Sequence, residues 1–236
     1  VREAVRHAPG RVLDVYLTEA ALERHSEIWD EAVAAGLYVH VTTQQVMDAM
    51  SPDAQGLLAV VATEEVTGSE ALAAALEGAR LVAVLTQAQD PGNAGTIIRA
   101  ADAAGADAVV LVRGSVDPTA PKVVRSTAGS LFHLPVVTGV ALDDAVTALH
   151  NAGLTVLAAD GRGDFDLFEA ESLLEAPSAW LLGNEAHGLP PEALSRADAV
   201  VSIPIYGKAE SLNVAAAAAV CLYASARAQA QNSGRS

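Results

Sequence analysis

From Arg80 onward the chain alternates short apolar runs with amphipathic stretches, and this alternation limits the possible folds more than any other feature. The apolar runs are Leu81–Leu85 (LVAVL), Asp107–Val112 (DAVVLV), Leu134–Val137 (LPVV), Leu154–Ala159 (LTVLAA), Ala179–Gly183 (AWLLG) and Ala199–Ile205 (AVVSIPI). Helical patterns lie between and after them at Ala94–Ala104, Lys122–Ala128, Leu142–Ala152, Pro191–Arg196 and Leu212–Gln229. Continuous apolar strands separated by helices predict an α/β fold: a mostly parallel sheet with helices on both faces. Ligands of such sheets sit at the carboxyl ends of the strands. Function is therefore expected in the loops after Leu85, Val112, Gly183 and Ile205.

The chain divides near residue 63. Residues 1–62 carry a helical pattern at Glu19–Ala35, a strand at Leu37–Val41, a short helix near Gln44–Ala49 and a strand at Gly56–Ala62. Residues 63–79 open on the polar TEEVTGSE and read as a linker, with a helix from Ser69 to Gly78. Residues 80–229 form the larger domain and residues 230–236 a flexible tail. Arg2, Glu3 and Arg6 fall inside a helical pattern at the start, so the first domain is expected to begin upstream of Val1.

With 51% hydrophobic residues in 236, the chain can bury a sizeable core. No apolar run reaches the roughly 18–20 residues of a membrane-spanning helix, and a cytoplasmic protein is expected. The single cysteine, Cys221, excludes an internal disulfide and a cysteine-cluster zinc site, and no metal is expected. Cys221 itself reads as a small core residue on a helical apolar face. A net charge of −15 opposes non-specific nucleic-acid binding. Arg99, Arg113, Lys122, Arg125, Arg162 and Lys208 remain candidates for a local basic patch.

Three loops carry candidate chemistry. In QDPGNAGTIIRAADAAG (Gln89–Gly105), a strand leads through Asp-Pro-Gly-Asn into a helix whose N-terminus suits an anion or polar ligand. Asn93 is placed to cap that helix, and Arg99 lies almost two turns further in; taken alone, the loop is better explained by a capping Asn and a solvated Arg. It lacks the G-x-G-x-x-G fingerprint, which weakens a nicotinamide-dependent oxidoreductase. In LLGNEAHGLP (Leu181–Pro190), Gly183 permits close backbone approach and Gly188 a positive φ. Glu185 puts a carboxylate at the mouth of a buried sheet, where it needs partners or a task, while His187 reads as a surface residue. In IPIYGKAESLNVAAAAAVCLY (Ile203–Tyr223), Ser211 stands at the expected N-cap of an alanine-rich helix and Asn213 in its first turn. Capping and function are compatible for both.

In this order, NAGTIIR, GNEAHGL and IPIYGKAESLNVAAAAAV resemble the three motifs of the SpoU/TrmH family of RNA ribose 2′-O-methyltransferases. The intervening VDPTAPKVVRSTAGSLFHLPV (Val116–Val136) resembles the family's segment between its first two motifs, and the similarity covers residues 80–228. Residues 1–62 resemble the small substrate-binding domain, similar to ribosomal protein L30e, that precedes the catalytic domain in many members. The resemblance implies a C-terminal trefoil knot, a homodimer, S-adenosylmethionine as cofactor and RNA as substrate, with ribosomal RNA favoured over transfer RNA. It assigns the cofactor to main-chain groups of Thr127, Ala128, Gly129, Leu182, Gly183, Ile203, Ile205 and Leu212. It places Arg99, Glu185, Asn93, Ser211 and Asn213 in the catalytic site. The resemblance leaves Arg99 as base or as electrostatic clamp; a guanidinium is a poor proton acceptor, so the clamp is the preferred role. Glu185 would orient Arg99, Gly183 would leave room for a cofactor edge, and the Asn and Ser side chains would position the ribose. A catalytically silent RNA- or ribosome-binding module is the competing reading; it would be favoured by an altered Arg99, Glu185 or Asn213, and none is altered.

Overall fold

The computed structural model describes residues 1–63, 66–184 and 188–233. The chain forms two compact units, Val1–Glu64 and Glu65–Ser236.

The first unit contains α1 (Arg2–His7), β1 (Val12–Thr18), α2 (Glu19–Arg24), α3 (Ser26–Ala34), β2 (Tyr38–Thr42), α4 (Gln44–Met50) and β3 (Leu57–Val61). Its sheet has the order β2-β1-β3, with β2 parallel and β3 antiparallel to β1. Val15 and Leu17 are fully buried on one face, in a core with Ala21, Ile28, Ala32 and Met47 from the helices. The opposite face pairs Asp14 with Tyr38 and Tyr16 with His40. There His40 Nε2 lies 2.8 Å from Asp14 Oδ1, its ring stacks on Tyr16, and Tyr38 is exposed. The apolar runs do not predict β1, because Asp14 and Tyr16 break its hydrophobic continuity on the uncovered face. The helix expected over Glu19–Ala35 is two helices: His25, at φ −136° and ψ 42°, interrupts the helical backbone.

The second unit carries a seven-stranded parallel sheet in the order β6-β5-β4-β9-β7-β10-β8. Its strands are β4 (Leu81–Leu85), β5 (Ala108–Leu111), β6 (Val136–Val137), β7 (Thr155–Ala159), β8 (Phe165–Asp166), β9 (Ser178–Leu182) and β10 (Ala199–Ser202). The helices are α5 (Gly68–Ala75), α6 (Pro91–Ala103), α7 (Pro121–Ser126), α8 (Leu142–Asn151), α9 (Glu171–Leu174), α10 (Pro191–Arg196) and α11 (Val214–Ser233). Alternate residues of β4 enter two separate cores, as the strand's two-residue period requires. Leu81, Ala83 and Leu85 pack with residues of α6, α7, α9 and α11. Val82 and Val84 pack with Leu72 and with Ala145, Val146, Leu149 and Ala193 of α5, α8 and α10. The helix read as part of a linker thus belongs to the second unit, because Leu72 and Leu76 complete one of its cores. The last helix begins at Val214, two residues later than expected, and β8 and α9 are additions to the expected elements.

Candidate active site

The expected position of the site follows from the sheet. A cleft of about 460 Å³ opens at the carboxyl ends of β7, β9 and β10, which is within the range of small-molecule pockets. Gly183, Ile203, Ile205, Ser211, Leu212 and Asn213 line it together, drawn from two loops separated by β10. Ala159, Asp160 and Gly161 line it as well. Their loop follows β7 and was not among those expected to hold the site. The signal was present: DGRGD after LTVLAA is a glycine-rich turn at the carboxyl end of a parallel strand.

Both capping expectations shift by a few residues. Asp90, not Asn93, caps α6: its Oδ1 accepts the Asn93 N–H at 2.8 Å, and Pro91 occupies the first helical position, where no N–H is needed. The Asn93 side chain is thereby left for another partner, and Asn213 Nδ2 donates to its Oδ1 at 3.2 Å. Asn213, not Ser211, caps α11: its Oδ1 accepts from Ala215 N at 2.9 Å and from Ala216 N at 3.4 Å. One amide therefore caps a helix with its oxygen and holds the other motif asparagine with its nitrogen. This ties the first and third motifs across 120 residues.

Gly183 has a different reason from the one expected. A Cβ there would stand 2.4 Å from Gly188 C and 2.5 Å from Leu189 N, so the space is needed by the chain's own backbone. Asn184 and Gly188 exchange two main-chain hydrogen bonds, 3.1 and 2.8 Å, that close this turn, with Gly188 at φ +67°. Glu185 and His187, between them, lie outside the described residues. Asn184 Nδ2 also donates to Gln87 O at 3.0 Å, which ties the turn to the loop after β4.

The other expected cofactor residues differ in what they offer. Leu182 O already accepts from both Thr86 N and Thr86 Oγ1, each at 2.9 Å. Thr127, Ala128 and Gly129 close α7 and do not line the cleft. Thr127 Oγ1 donates to Val124 O, and local turn bonds engage the N–H groups of all three residues. By contrast, no main-chain group from Ile203 to Leu212 makes a hydrogen bond among the described residues. Arg99 is exposed on α6, six residues and about 9 Å of helical rise beyond Asn93, and does not line the cleft. It makes no ion pair among the described residues.

Two carboxylates, Asp160 and Glu210, face the cleft. The Arg162 guanidinium, with Nε 3.0 Å from Asp160 Oδ1, holds the Asp160 carboxyl below its usual range. Deep in α11, burial pushes the Cys221 thiol up to about 12, as befits a core residue with no part in the chemistry.

Comparison with known proteins agrees with this geometry. The chain is 42% identical over 151 residues to the 23S rRNA (guanosine(2553)-2′-O)-methyltransferase RlmP of Bacillus subtilis, a match spanning 63% of this chain but 58% of that protein. It is 31% identical over 235 residues to the 23S rRNA (guanosine-2′-O-)-methyltransferase RlmB of Pseudomonas syringae, covering 96% and 92% of the two chains. The crystal structure of the SpoU methyltransferase AviRb from Streptomyces viridochromogenes, in complex with AdoMet, superposes with a TM-score of 0.81 at 28% identity over 97% of this chain and 87% of that one. The SpoU rRNA Methylase family profile matches residues 80–223, the stretch that builds the sheet, the cleft and the paired asparagines; the chain belongs to that family.

Proposed function

We propose that this chain is an S-adenosylmethionine-dependent RNA methyltransferase that modifies ribose 2′-hydroxyls, with ribosomal RNA as its substrate. The observation that carries this reading is the run Ile203–Leu212, which brings main-chain groups free of internal hydrogen bonds to the cleft beside the Asn93–Asn213 pair. Unspent N–H and C=O groups suit a ligand held by backbone rather than by charge. When bound, the cofactor supplies an electrophilic methyl on a sulfonium. Ile203, Ile205 and Leu212 would hold it, and the Glu210 carboxylate, unlike Asp160, which Arg162 already pairs, favours a cation over a neutral ligand.

The ribose hydroxyl is a weak nucleophile, so the protein must orient it and meet the charge that develops on its oxygen. Asn93, Asn213 and Ser211 orient the ribose at the rim of the cleft. Arg99 acts as a clamp on phosphate and incipient alkoxide. Glu185 keeps Arg99 oriented. The enzyme works as a homodimer, in which the small side chains of α11 allow close helix contact. The C-terminal segment is knotted, and residues 1–62, an L30e-like domain, select the RNA. No helix among the described residues is long and apolar enough to cross a membrane, in keeping with a cytoplasmic enzyme.

The test is methyl transfer from labelled cofactor to unmodified 23S ribosomal RNA, with the ribose methylation mapped. Arg99→Ala should lower transfer by about 100- to 1,000-fold, the loss expected for one electrostatic stabiliser. Calorimetry with S-adenosylhomocysteine should show unchanged affinity. A large loss of cofactor affinity would put Arg99 in the wrong pocket, and a monomer in sedimentation that still methylates RNA would refute the shared dimer.

A further inference from the structure

Asn213, which lines the cleft, has the sense of its amide fixed by the helix it caps. Its Oδ1 accepts the N–H groups of Ala215, at 2.9 Å, and of Ala216, at 3.4 Å. A backbone N–H can bond there only to oxygen, so the cap decides which end of the amide is which. The Nδ2 end then reaches Asn93, and a donor requires an acceptor. Asn93 meets it with its own Oδ1, at 3.2 Å. The Asn93 backbone is held as well, because its N–H bonds to Asp90 Oδ1 at 2.8 Å. The two amides therefore run in one direction, from the first turn of α11 through Asn213 to Asn93.

That direction has a chemical consequence. A primary amide carries one oxygen and two N–H donors, and Asn213 already engages the oxygen of Asn93. What Asn93 has to offer a ligand is its Nδ2. The chain of bonds starts at the N-terminus of a 20-residue helix, the positive end of its dipole. Hydrogen bonds linked in one sense polarise one another. The pair thus presents a polarised donor, suited to an oxygen that gains negative charge, rather than an acceptor for a hydroxyl proton.

We propose that Asn93 donates from Nδ2 to the ribose oxygen that is methylated, and that Asn213 is the positioning residue that makes Asn93 a donor. This rests on the functional reading above and gives a direction to the hydrogen bonds within it. Charge gathers on the ribose oxygen only as it reacts, and a donor already aimed there needs no reorganisation at that moment. Asn93 gains and loses no proton. The hydroxyl proton passes to solvent, and the oxygen's freed pair bonds the methyl carbon while the carbon–sulfur pair stays on sulfur.

The experiment compares wild type with Asn93→Asp, Asn93→Ala and Asn213→Asp, using S-adenosylmethionine and in-vitro-transcribed 23S ribosomal RNA. Melting temperature and affinity for S-adenosylhomocysteine are measured on each. Asn93→Asp keeps an acceptor for Asn213 and removes the donor, so kcat should fall by about 100-fold or more, at least as far as in Asn93→Ala. The loss should appear in kcat rather than in KM for RNA, because the donor meets a charge present only in the transition state. An acceptor or base at this position would behave oppositely, since a carboxylate accepts better than an amide. Wild-type kcat in Asn93→Asp would overturn the inference. Asn213→Asp preserves the cap, because Asp serves there as well as Asn and its charge suits a helix N-terminus; the melting temperature should not fall. It removes the donor that fixes Asn93, which would turn its amide to meet the new carboxylate. Its kcat should drop by about tenfold, the worth of one good hydrogen bond, with unchanged affinity for S-adenosylhomocysteine. Wild-type kcat in Asn213→Asp would overturn the positioning role. So would a loss of cofactor affinity as large as the loss of kcat, which would mean that Asn213 acts on the cofactor directly. No transfer by the wild-type protein would sink the functional reading itself, and the inference with it.

Discussion

Trp180 and Tyr38 both sit in five-residue strands, yet Trp180 is completely buried and Tyr38 is 74% exposed. Trp180 belongs to β9, whose five residues are all buried between helices on two faces, and its Nε1 donates to Ser225 Oγ of α11 at 2.9 Å. Tyr38 belongs to β2, an edge strand of the three-stranded sheet, on the face where Tyr16 and His40 stack. A strand covered twice must be apolar throughout and announces itself in the sequence. In the smaller sheet the signal is weaker: β2 and β3 are still legible, while the polar Asp14 and Tyr16 conceal β1. The same contrast separates a scaffold that fixes loop ends from a surface left to solvent.

Three substitutions test that contrast. Trp180→Ala should cost about 3–5 kcal/mol, from lost burial and the cavity left behind, read as a fall in the urea midpoint. A loss below 1 kcal/mol would mean that the doubly covered sheet repacks freely. Gly183→Ala should cost about 1–3 kcal/mol, because its Cβ would collide with the Gly188–Leu189 backbone and force the turn open. Calorimetry should show weaker cofactor binding in that variant, since the displaced turn lines the cleft; unchanged affinity would uncouple turn from cleft. Tyr38→Ala should change stability by no more than about 0.5 kcal/mol, the usual range for an exposed position. A larger loss would show that something covers this face.

How much could be read from the sequence follows the same division. Leu81–Leu85 and Pro191–Arg196 occupy the expected residues, because an apolar run and a proline-started turn are local signals. Val12–Thr18 was hidden, since Asp14 and Tyr16 make sense only once His40 is beside them. The motif residues were legible as types and in order, but their tasks were not. The sequence pointed to Asn93 as the cap of one helix and Ser211 as that of another, whereas the caps are Asp90 and Asn213. Which oxygen meets the free N–H groups depends on where each helix starts, and that is settled by the packing of α6 and α11 on the sheet.

The second unit's architecture is written in its residues. Strand-length apolar runs separated by helices leave few alternatives to a covered parallel sheet, and that sheet places ligands at its carboxyl ends. Which loops converge there is not written in them, because sheet order is set by long-range packing and not by chain order. The order β9-β7-β10 brings Asp160 to the same cleft as Gly183 and Ile203, although the chain separates the first two by 23 residues. It also turned Gly183 from a space for a ligand into a space for Gly188 and Leu189, because a contact between two backbones leaves no mark in the residue types except the absence of a side chain.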